Sequence, residues 1–494
     1  MTDQRKTLRE RRICVVIPTY NNGGTIAHVV EETKLYCDDI IVVNDGSTDD
    51  TTTILSSIAD ITVVGYHKNR GKGYALKQGF RKALSMGFSY AITLDGDGQH
   101  YPKEITKFLD ANQTHPGSLV IGSRNLHGVE RSKGSKFANH FSNFWFFVQT
   151  GKRINDTQSG YRLYPLKKLH GLSLLTSKYE AELELLVFPS WHGVELTEIP
   201  IEVYYPPKEE RVSHFRPGID FTRISVLNTI LCVLAVIYGF PLRLFRFLAK
   251  WSRTLYSLLL FVILMLFIIT PLVWIYTKIG KMTEKKREKL HRVIYHISRF
   301  FMLKHGIPGT RFTHHVAEGV DFNKPYVIIC NHQSHLDLMC QLIFTPNMIF
   351  LTNDWVWKNP FYGLLIRNAE YYPVAEGIDS LLPKLRSLAG RGYSIALFPE
   401  GTRSKDCRIG RFHKGAFYIA EHLGLDMLPM CLYGTGHVLR KGKYHLDRGP
   451  IHIEVKAPIS CNTLHEQGEL KRQASWMRGE YKVWYEELAN RFET

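Results

Sequence analysis

The sequence reads ISVLNTILCVLAVIYGFPL from residue 224 to 242 and TLYSLLLFVILMLFIITPLVWIYT from residue 254 to 277, and neither stretch contains a charged residue. A helix needs about 20 apolar residues to cross the hydrocarbon core of a bilayer, so the second stretch is long enough and the first is marginal. We therefore predict two membrane-embedded segments that form a hairpin or re-entrant element. The alternative is a buried hairpin in a large soluble core, which is uncommon for apolar runs of this length.

These two stretches divide the chain into three predicted parts, at residues 1–222, 223–304 and 305–494. The basic residues are concentrated beside the membrane segments: nine Lys or Arg against two Glu lie in 278–304, and four with no acid lie in the linker 243–253. Such residues are expected to contact anionic lipid headgroups. The net charge of +17 also fits nucleic-acid binding, but no recognition motif for nucleic acid is present, so we exclude that partner.

Orientation is harder to predict, because the linker and both outer flanks are basic. Two spanning segments would carry the four linker cations across the membrane, which the positive-inside rule disfavours, whereas a re-entrant first segment would avoid this. The eight cysteines show no paired spacing and suit reduced thiols. We therefore predict a protein of the inner (cytoplasmic) membrane, with both catalytic domains facing the cytosol.

Residues 13–97 alternate short Val/Ile-rich strands with helical stretches, which predicts a mostly parallel sheet covered on both faces. In such sheets ligands bind at the carboxyl ends of the strands. Polar clusters follow three of the predicted strands, namely PTY (18–20), NDGSTDD (44–50) and DGDGQH (95–100). In the last cluster Asp95 and Asp97 are separated only by a glycine, so both carboxylates can reach one divalent cation, although DxD is also an ordinary turn sequence.

In their order and spacing these clusters, together with NRGKGYALKQGF (69–80), resemble the family 2 glycosyltransferases of GT-A fold. The likeness covers about residues 13–217 and is greatest to the dolichol- or polyprenyl-phosphate sugar transferases. DTQSGYR (156–162), YEAELELL (179–186) and RVSHF (211–215) also match that branch. The resemblance implies a nucleotide-sugar donor, a lipid or polyprenyl-phosphate acceptor, and Mg2+ or Mn2+.

The resemblance also implies roles for individual residues. Pro18, Tyr20, Asp45 and Asp95 would bind the nucleotide sugar, Asp95, Asp97 and Gln99 would hold the metal, and Arg162 would contact the acceptor phosphate. A structural role for Arg162 is the alternative. Lys72 would contact phosphate or remain solvated, and Glu180 and Glu182 would act as base, as neighbours of the metal, or as solvated acids.

The C-terminal part contains YVIICNHQSHLDLMC (326–340), in which a predicted strand ends at Asn331 and His332. Asp337 follows His332 by five residues. A His oriented by a carboxylate is the arrangement for general-base catalysis, since the carboxylate fixes the imidazole tautomer while the other ring nitrogen accepts a proton. His335 lies in the same window, and a lone His near a strand end is more often structural.

NHQSHLD is followed by FPEGTRS (398–404), and the two motifs resemble the first and third blocks of the glycerolipid acyltransferases, which include the lysophosphatidate acyltransferases. The likeness covers about residues 306–460. It implies that His332 is the base, that Asp337 orients it, and that the acyl donor is acyl-CoA or acyl carrier protein, with no cofactor. It also implies that Glu400, Gly401 and Arg403 bind the acceptor and that Pro429 shapes the acyl channel.

One position departs from the family pattern. Val374 stands where the glycerol-phosphate acylating members carry an arginine that binds the acceptor phosphate, and only Arg367 is nearby. An acceptor other than a simple glycerol phosphate is therefore expected.

From these features we predict a bifunctional membrane enzyme of glycolipid or lipid biosynthesis. One half transfers a sugar, and the other transfers an acyl group to a hydroxyl or amine. Two alternatives stay open: two uncoupled activities, or a membrane scaffold with one inactive domain.

Overall fold

The computed structural model describes residues 2–124, 133–172, 174–204, 217–359 and 363–492. The chain forms two compact units, Met1–Arg246 (unit 1) and Phe247–Phe492 (unit 2). The boundary between them falls inside the linker 243–253, between the two predicted membrane segments. The RVSHF motif (211–215) lies outside the described residues.

Unit 1 is built on a seven-stranded sheet of order β3-β2-β1-β4-β6-β5-β7, in which only β6 runs antiparallel to its neighbours. The strands are β1 (Ile13–Thr19), β2 (Ile40–Asn44), β3 (Thr62–Gly65), β4 (Tyr90–Thr93), β5 (Leu119–Arg124), β6 (Arg162–Pro165) and β7 (Leu196–Ile201). The helices are α1 (Thr2–Glu10), α2 (Ile26–Lys34), α3 (Thr51–Ser57), α4 (Lys72–Ser85), a 3-10 turn (Pro102–Glu104), α5 (Ile105–Thr114), α6 (Lys133–Thr150), α7 (Leu166–Leu169), α8 (Ala181–Trp191) and α9 (Pro217–Leu234).

Both faces of this sheet are covered, which confirms the predicted α/β class. In β1 the side chains of Ile13, Val15 and Ile17 belong to one apolar core, and those of Cys14 and Val16 belong to the core on the opposite face. All seven residues of the strand are buried, as expected for a parallel strand between two helical layers.

The two predicted membrane segments lie on one continuous helical run. α9 passes through a π-helical turn (Ala235–Gly239) into α10 (Phe240–Ile263), and a second π-helical turn (Leu264–Ile269) leads into α11 (Thr270–Lys278). Within the described residues one helix, Phe221–Lys278, is long and apolar enough to cross a membrane by length and composition. The expected hairpin is therefore wrong.

The physical reason lies in the linker 243–253. It contains no Gly or Pro and is rich in Arg, Leu, Lys and Ala, all good helix formers. Pro241 and Pro271 are each the second residue of the α-helical segment after a π-helical turn, and a missing N–H is tolerated in the first turn of such a segment.

Unit 2 contains a second seven-stranded sheet, of order β11-β10-β12-β9-β13-β14-β8, with only β13 and β14 antiparallel. The strands are β8 (Arg311–Val316), β9 (Val327–Cys330), β10 (Met348–Thr352), β11 (Tyr372–Pro373), β12 (Ser394–Leu397), β13 (Met427–Tyr433) and β14 (Pro450–Val455). The helices after α11 are α12 (Glu284–Phe300) with a π-helical turn (Phe301–His305), α13 (Leu336–Gln341), α14 (Asp354–Trp357), α15 (Gly363–Asn368), a 3-10 turn (Val374–Glu376), α16 (Ile378–Gly390), α17 (Gly415–Leu423), α18 (Thr435–Val438), α19 (Cys461–Glu466) and α20 (Leu470–Phe492).

Helix α4 packs unusually close to the unit 1 sheet at Gly79. A Cβ at this position would lie 2.5 Å from Val16 Cγ1 and 3.2 Å from Val43 Cγ2. We expect Gly79→Val to lower the free energy of unfolding of unit 1 by about 1–3 kcal/mol, because the added side chain has no space without displacing the sheet. Thermal unfolding of the purified full chain measures this. Gly24→Ala is the control, since a Cβ there meets nothing within 4 Å, and equal effects of the two changes would contradict the prediction.

Candidate active sites

The loop after β4 brings the predicted metal ligands of unit 1 together. Asp95 and Asp97 are both half-buried, and Asp97 Oδ1 accepts a hydrogen bond of 3.0 Å from the backbone N–H of Gln99. Gly98 has a φ of 79°, a value that glycine adopts without strain and that lets the chain reverse between these residues. The two carboxylates and Gln99 thus lie on one tight loop at the carboxyl end of a buried strand.

Lys72, at the first position of α4, forms ion pairs with two carboxylates of this site. Its Nζ lies 2.7 Å from Asp95 Oδ1 and 2.8 Å from Glu182 Oε1, and its side chain is 17 % exposed. Lys72 is therefore not a solvated lysine. Gly160 borders the same group: a Cβ there would lie 2.9 Å from Lys72 Nζ and 3.1 Å from each of the two carboxylates.

The surroundings of the two aspartates push their pKa values in opposite directions. Burial would raise the pKa of Asp95, but the charge and hydrogen bond of Lys72, together with electrostatic contributions from His100 and Arg162, outweigh burial and lower this pKa. The pKa of Asp97 is raised by burial and by the charge on Asp95. Burial also lowers the pKa of His100, whose Nδ1 accepts a hydrogen bond of 3.2 Å from the backbone N–H of Asp95, so this imidazole is neutral.

This donor set fits a hard divalent cation. Two neighbouring carboxylates are oxygen ligands of the kind that Mg2+ and Mn2+ prefer. Within the described ranges no group of three or more His, Cys, Asp or Glu side chains is placed to hold a metal. The protein would supply Asp95 and Asp97, with Gln99 as the predicted third ligand, and the remaining ligands would come from a bound diphosphate and water.

Asp45 anchors a loop next to this site. Its carboxylate accepts hydrogen bonds of 2.8 Å from the backbone N–H groups of Arg70 and Gly71, and it is 3 % exposed. Pro18 is buried in β1, and Tyr20 is half-buried just beyond the end of that strand. Binding of the nucleotide by these residues stays a prediction.

The position of Arg162 does not match its predicted contact with the acceptor phosphate. Its side chain is fully buried and donates to the backbone carbonyls of Ser159 (2.7 Å), Thr157 (2.8 Å) and Glu182 (2.8 Å). The guanidinium thus ties the 156–162 loop to the start of α8 and presents no surface to an acceptor phosphate. Arg162 therefore has the structural role that was the alternative, and not the predicted contact with an acceptor phosphate.

In unit 2 the His332–Asp337 pair forms at the end of β9. His332 Nδ1 lies 2.9 Å from Asp337 Oδ2, and the same oxygen accepts hydrogen bonds from the backbone N–H groups of Gln333 (2.6 Å) and Ser334 (2.8 Å). Asp337 is fully buried. The His332 ring stacks on Phe398, with centroids 3.9 Å apart, so the imidazole is fixed on one face and at one edge.

Glu400 holds the backbone around this pair rather than facing a ligand. Its two oxygens accept hydrogen bonds of 2.9 Å from the backbone N–H groups of His332 and Gly410. Burial raises the pKa of this carboxyl to about 7. Its geometry is that of a positioning residue, which corrects the expectation that it contacts the acceptor directly.

His332 opens into an apolar cavity of about 750 Å³. Gly401, Val374 and His335 also line it, and the walls are otherwise mainly Leu, Ile, Met and Phe side chains from α10 to α17. Arg367 does not line the cavity, because its Nη1 donates to the carbonyl of Trp357 (2.8 Å). Pro429 is buried in β13 and is also outside the lining.

Arg403 follows Gly401 in the same loop and is half-buried. Its backbone carbonyl accepts a hydrogen bond of 2.7 Å from Lys441 Nζ, and its charge contributes to lowering the pKa of His335, after burial. Acceptor binding by Gly401 and Arg403 stays a prediction.

The comparisons with known proteins agree with this geometry. The family model described as Glycosyl transferase family 2 matches residues 14–166. A polyprenol monophosphomannose synthase of Mycolicibacterium smegmatis is 32% identical over 208 residues, which cover 39% of this chain and 77% of that protein. The chain belongs to glycosyl transferase family 2.

The second half matches another family. The model described as Acyltransferase matches residues 311–433. A chloroplastic 1-acyl-sn-glycerol-3-phosphate acyltransferase of Brassica napus is 33% identical over 141 residues, or 27% of this chain. The chain spans 41% of that relative's length. The protein is thus a fusion of a glycosyltransferase domain and a lysophosphatidate acyltransferase-like domain, and both predicted resemblances are confirmed.

Among solved structures, the 1-acyl-sn-glycerophosphate acyltransferase PlsC of Thermotoga maritima matches with a TM-score of 0.42 and 22% identity. The match covers 49% of this chain and 97% of that one. Because the TM-score is below 0.5, the family assignment rests on the sequence matches.

The sequence patterns give no role to three neighbours of the predicted residues: Gly160, His100 and Phe398. All three stand inside motifs that the sequence analysis quotes, DTQSGYR, DGDGQH and FPEGTRS. Their position in a motif was the available signal. Their roles depend on contacts between distant segments, such as the stacking of Phe398 on His332.

Glu400 makes a pH prediction possible. Its pKa is about 7 in the folded protein against 4.5 for an ordinary Glu, so between these values the folded state binds more protons than the unfolded state. The stabilising contribution of protonated Glu400 to the free energy of unfolding is present at low pH and is lost as the pH rises through about 7. Between pH 5 and pH 8 we expect the unfolding free energy of the wild type to fall by roughly 2 kcal/mol more than that of Glu400→Gln. Denaturant unfolding at both pH values measures this, and equal pH slopes would contradict it.

Proposed function

We propose that the protein is a bifunctional membrane enzyme of glycolipid or lipid biosynthesis. Unit 1 transfers a sugar from a nucleotide donor to a lipid or polyprenyl-phosphate acceptor. Unit 2 transfers an acyl group from acyl-CoA or acyl carrier protein to a hydroxyl or amine. The observation that carries the proposal is that each unit holds an assembled set of charged groups: Lys72 with Asp95 and Asp97 in one, and His332 with Asp337 at an apolar cavity in the other.

In the glycosyltransferase reaction Asp95 and Asp97 would hold Mg2+ or Mn2+, with Gln99 as a third ligand. The bound cation would neutralise the departing diphosphate. Lys72 already shares Asp95 and Glu182, so it keeps these carboxylates balanced before the donor binds. With Asp95 bound to the cation, the Lys72 ammonium would be available to contact a phosphate oxygen of the donor. An anionic phosphate acceptor needs little base catalysis, whereas a hydroxyl acceptor needs a nearby base.

In the acyltransferase reaction the free ring nitrogen of His332, Nε2, accepts the proton of the acceptor hydroxyl or amine as that group attacks the thioester carbonyl. The thiolate then leaves and takes the proton from the imidazolium. Asp337 holds the Nδ1 proton and stabilises the imidazolium during these steps. The apolar cavity next to His332 is suited to the acyl chain.

We propose that the acceptor of the acyl group is not a simple glycerol phosphate. Val374 lines the cavity and is 41% exposed, so an apolar side chain stands where a phosphate-binding arginine is expected. Arg403 remains the cation of the acceptor loop. A lipid that bears a sugar or an amine fits this combination better than a lipid whose phosphate needs a second cation.

We place the enzyme on the cytosolic side of the inner membrane. The long apolar helix Phe221–Lys278 supports membrane attachment. A single chain also raises the effective concentration of a lipid intermediate near both sites. The second candidate function is a pair of uncoupled activities on separate lipids, and the product analysis below distinguishes the two.

The first test is mass spectrometry of the lipid products. Membranes with Asp97→Asn are expected to lose the mass of a sugar, and membranes with His332→Ala that of an acyl chain, each activity falling by at least about 100-fold. Asp60→Asn, in an exposed turn whose left-handed backbone suits Asn, and the exposed His315→Ala are the matched controls. Losses from the same lipid support the coupled function, and losses from different lipids support uncoupled activities. No change in any lipid would refute both sites.

The second test concerns the acyl cavity. Ser298 of α12 is buried and lines it, so Ser298→Phe is expected to shift acyl-chain preference toward shorter chains by filling part of the volume. Competition between thioesters of different length measures the ratio of their kcat/KM values. For two thioesters that differ by a few methylenes, we expect the variant to shift this ratio toward the shorter one by about 10-fold or more. His296→Phe, on the exposed side of the same helix, is the control. An unchanged chain preference in Ser298→Phe would show that the cavity does not hold the acyl chain.

A further inference from the structure

The last helix of unit 2, α20, contacts both segments that hold His332. Arg478 and Tyr481 are three residues apart and share one face of this helix. Tyr481 is fully buried, and its hydroxyl donates a hydrogen bond of 2.8 Å to the carbonyl of Ile329 and accepts one of 3.1 Å from the backbone N–H of Met430. The helix is thereby bonded to β9 and β13 where these two strands pair, just before β9 ends.

Arg478 contacts the loop that follows Glu400. Its Nε donates a hydrogen bond of 2.8 Å to the carbonyl of Gly410, and its side chain is half-buried. The N–H of Gly410 donates to Glu400 Oε2 at 2.9 Å, and the N–H of His332 donates to Glu400 Oε1 at 2.9 Å. Gly410 is therefore held on both sides, and consecutive hydrogen bonds connect the guanidinium to the backbone of His332.

The charge of Arg478 also favours the form of Glu400 that this arrangement needs. Burial and the charge on Asp337 raise the pKa of Glu400, whereas the N–H groups of His332 and Gly410 and the charge of Arg478 lower it. An ionised carboxylate only accepts hydrogen bonds, whereas a protonated carboxyl carries an O–H donor. The guanidinium therefore stabilises the carboxylate that accepts from both N–H groups.

The backbone of His332 is held by two loop contacts. Its carbonyl accepts a hydrogen bond of 2.8 Å from the N–H of Ser404. Its N–H depends on Glu400, and Glu400 depends on Gly410, which α20 holds. The helix lies beyond the residues 311–433 that the acyltransferase family model matches, so the motifs do not include this contribution.

We propose that Arg478 is a positioning residue of the acyltransferase site. It acts through Gly410 and Glu400 to fix the backbone of His332, so that the imidazole keeps its place between Asp337 and the apolar cavity. Arg478 lies outside the lining of that cavity, so it affects the orientation of the base and not the binding of the acyl chain. Its effect on acyl transfer rests on the proposed function, whereas its effect on the backbone does not.

The kinetic test compares Arg478→Met with Lys482→Met, which removes an exposed cation from the same helix. Arg478→Met is expected to lower kcat for acyl transfer by about 10–100-fold and to leave KM for the acyl thioester within about 2-fold, because a misplaced base slows the chemical step. Arg478→Lys keeps a donor and a charge and is expected to recover most of the lost kcat. A raised KM with unchanged kcat, or an equal loss of kcat in Lys482→Met, overturns the proposal.

A double-mutant cycle separates the action through Glu400 from a general loss of stability. When Arg478→Met is added to Glu400→Gln, we expect kcat to fall by no more than about 2-fold further, because changes at residues that act through one another are not additive. A general loss of stability would give the same fold-change in both backgrounds, and that result overturns the proposal.

Hydrogen exchange in the full chain tests the backbone without the reaction. In Arg478→Met, peptides that contain His332 or Gly410 are expected to exchange their protected amides about 3–10-fold faster than in the wild type, the change expected for the loss of one hydrogen bond. Peptides from β1 serve as the internal control. Unchanged exchange at His332 and Gly410 overturns the proposal whatever the activity. Faster exchange in a protein whose wild type transfers no acyl group supports the backbone contact and refutes only the proposed function.

Discussion

A charge at the carboxyl end of a buried strand has to be balanced or hydrogen-bonded, and both sites are built on that constraint. In unit 1 the Lys72 ammonium balances Asp95 and Glu182 at 2.7 and 2.8 Å. In unit 2 the buried Asp337 oxygen accepts from two backbone N–H groups as well as from His332. Unpaired buried charges would cost several kcal/mol each, so these contacts decide where the neighbouring loops lie.

The same constraint explains why glycines are required beside these groups. A Cβ at Gly160 would come within 3.1 Å of both carboxylates paired with Lys72, and a Cβ at Gly410 would lie 2.5 Å from Glu400 Oε2. The backbone at Gly160 and Gly410 lies so close to these carboxylates that there is no space for a side chain. In unit 2 this lets the Gly410 N–H reach Glu400, whose other oxygen fixes the N–H of His332. The base is thereby held by its backbone, by Asp337 and by the Phe398 ring.

Much of this could be predicted from sequence, because it depends on local spacing. Alternating apolar strands and helices predict the sheet of unit 1, and the intervals within DGDGQH and NHQSHLD place Asp95 near Asp97 and His332 near Asp337. Burial and contacts between distant segments could not be predicted in this way. Arg162 was assigned to a phosphate because guanidinium groups bind phosphate well, but three carbonyls around it satisfy the group instead. The motif resemblance implies that Glu400 binds the acceptor, but its two hydrogen bonds from the backbone N–H groups of His332 and Gly410 depend on tertiary structure and cannot be predicted from the motif.

The central helix shows why a charge-free stretch alone does not determine a membrane crossing. The apolar stretches 224–242 and 254–277 satisfy a length criterion, but that criterion ignores the direction in which the intervening cations point. Arg243 and Arg246 donate to backbone carbonyls of unit 1. Lys250 pairs with a carboxylate of unit 2, and Arg253 donates to a backbone carbonyl of unit 2. A membrane crossing therefore cannot be assigned from the length of an apolar stretch until the bonding of the flanking cations is also known.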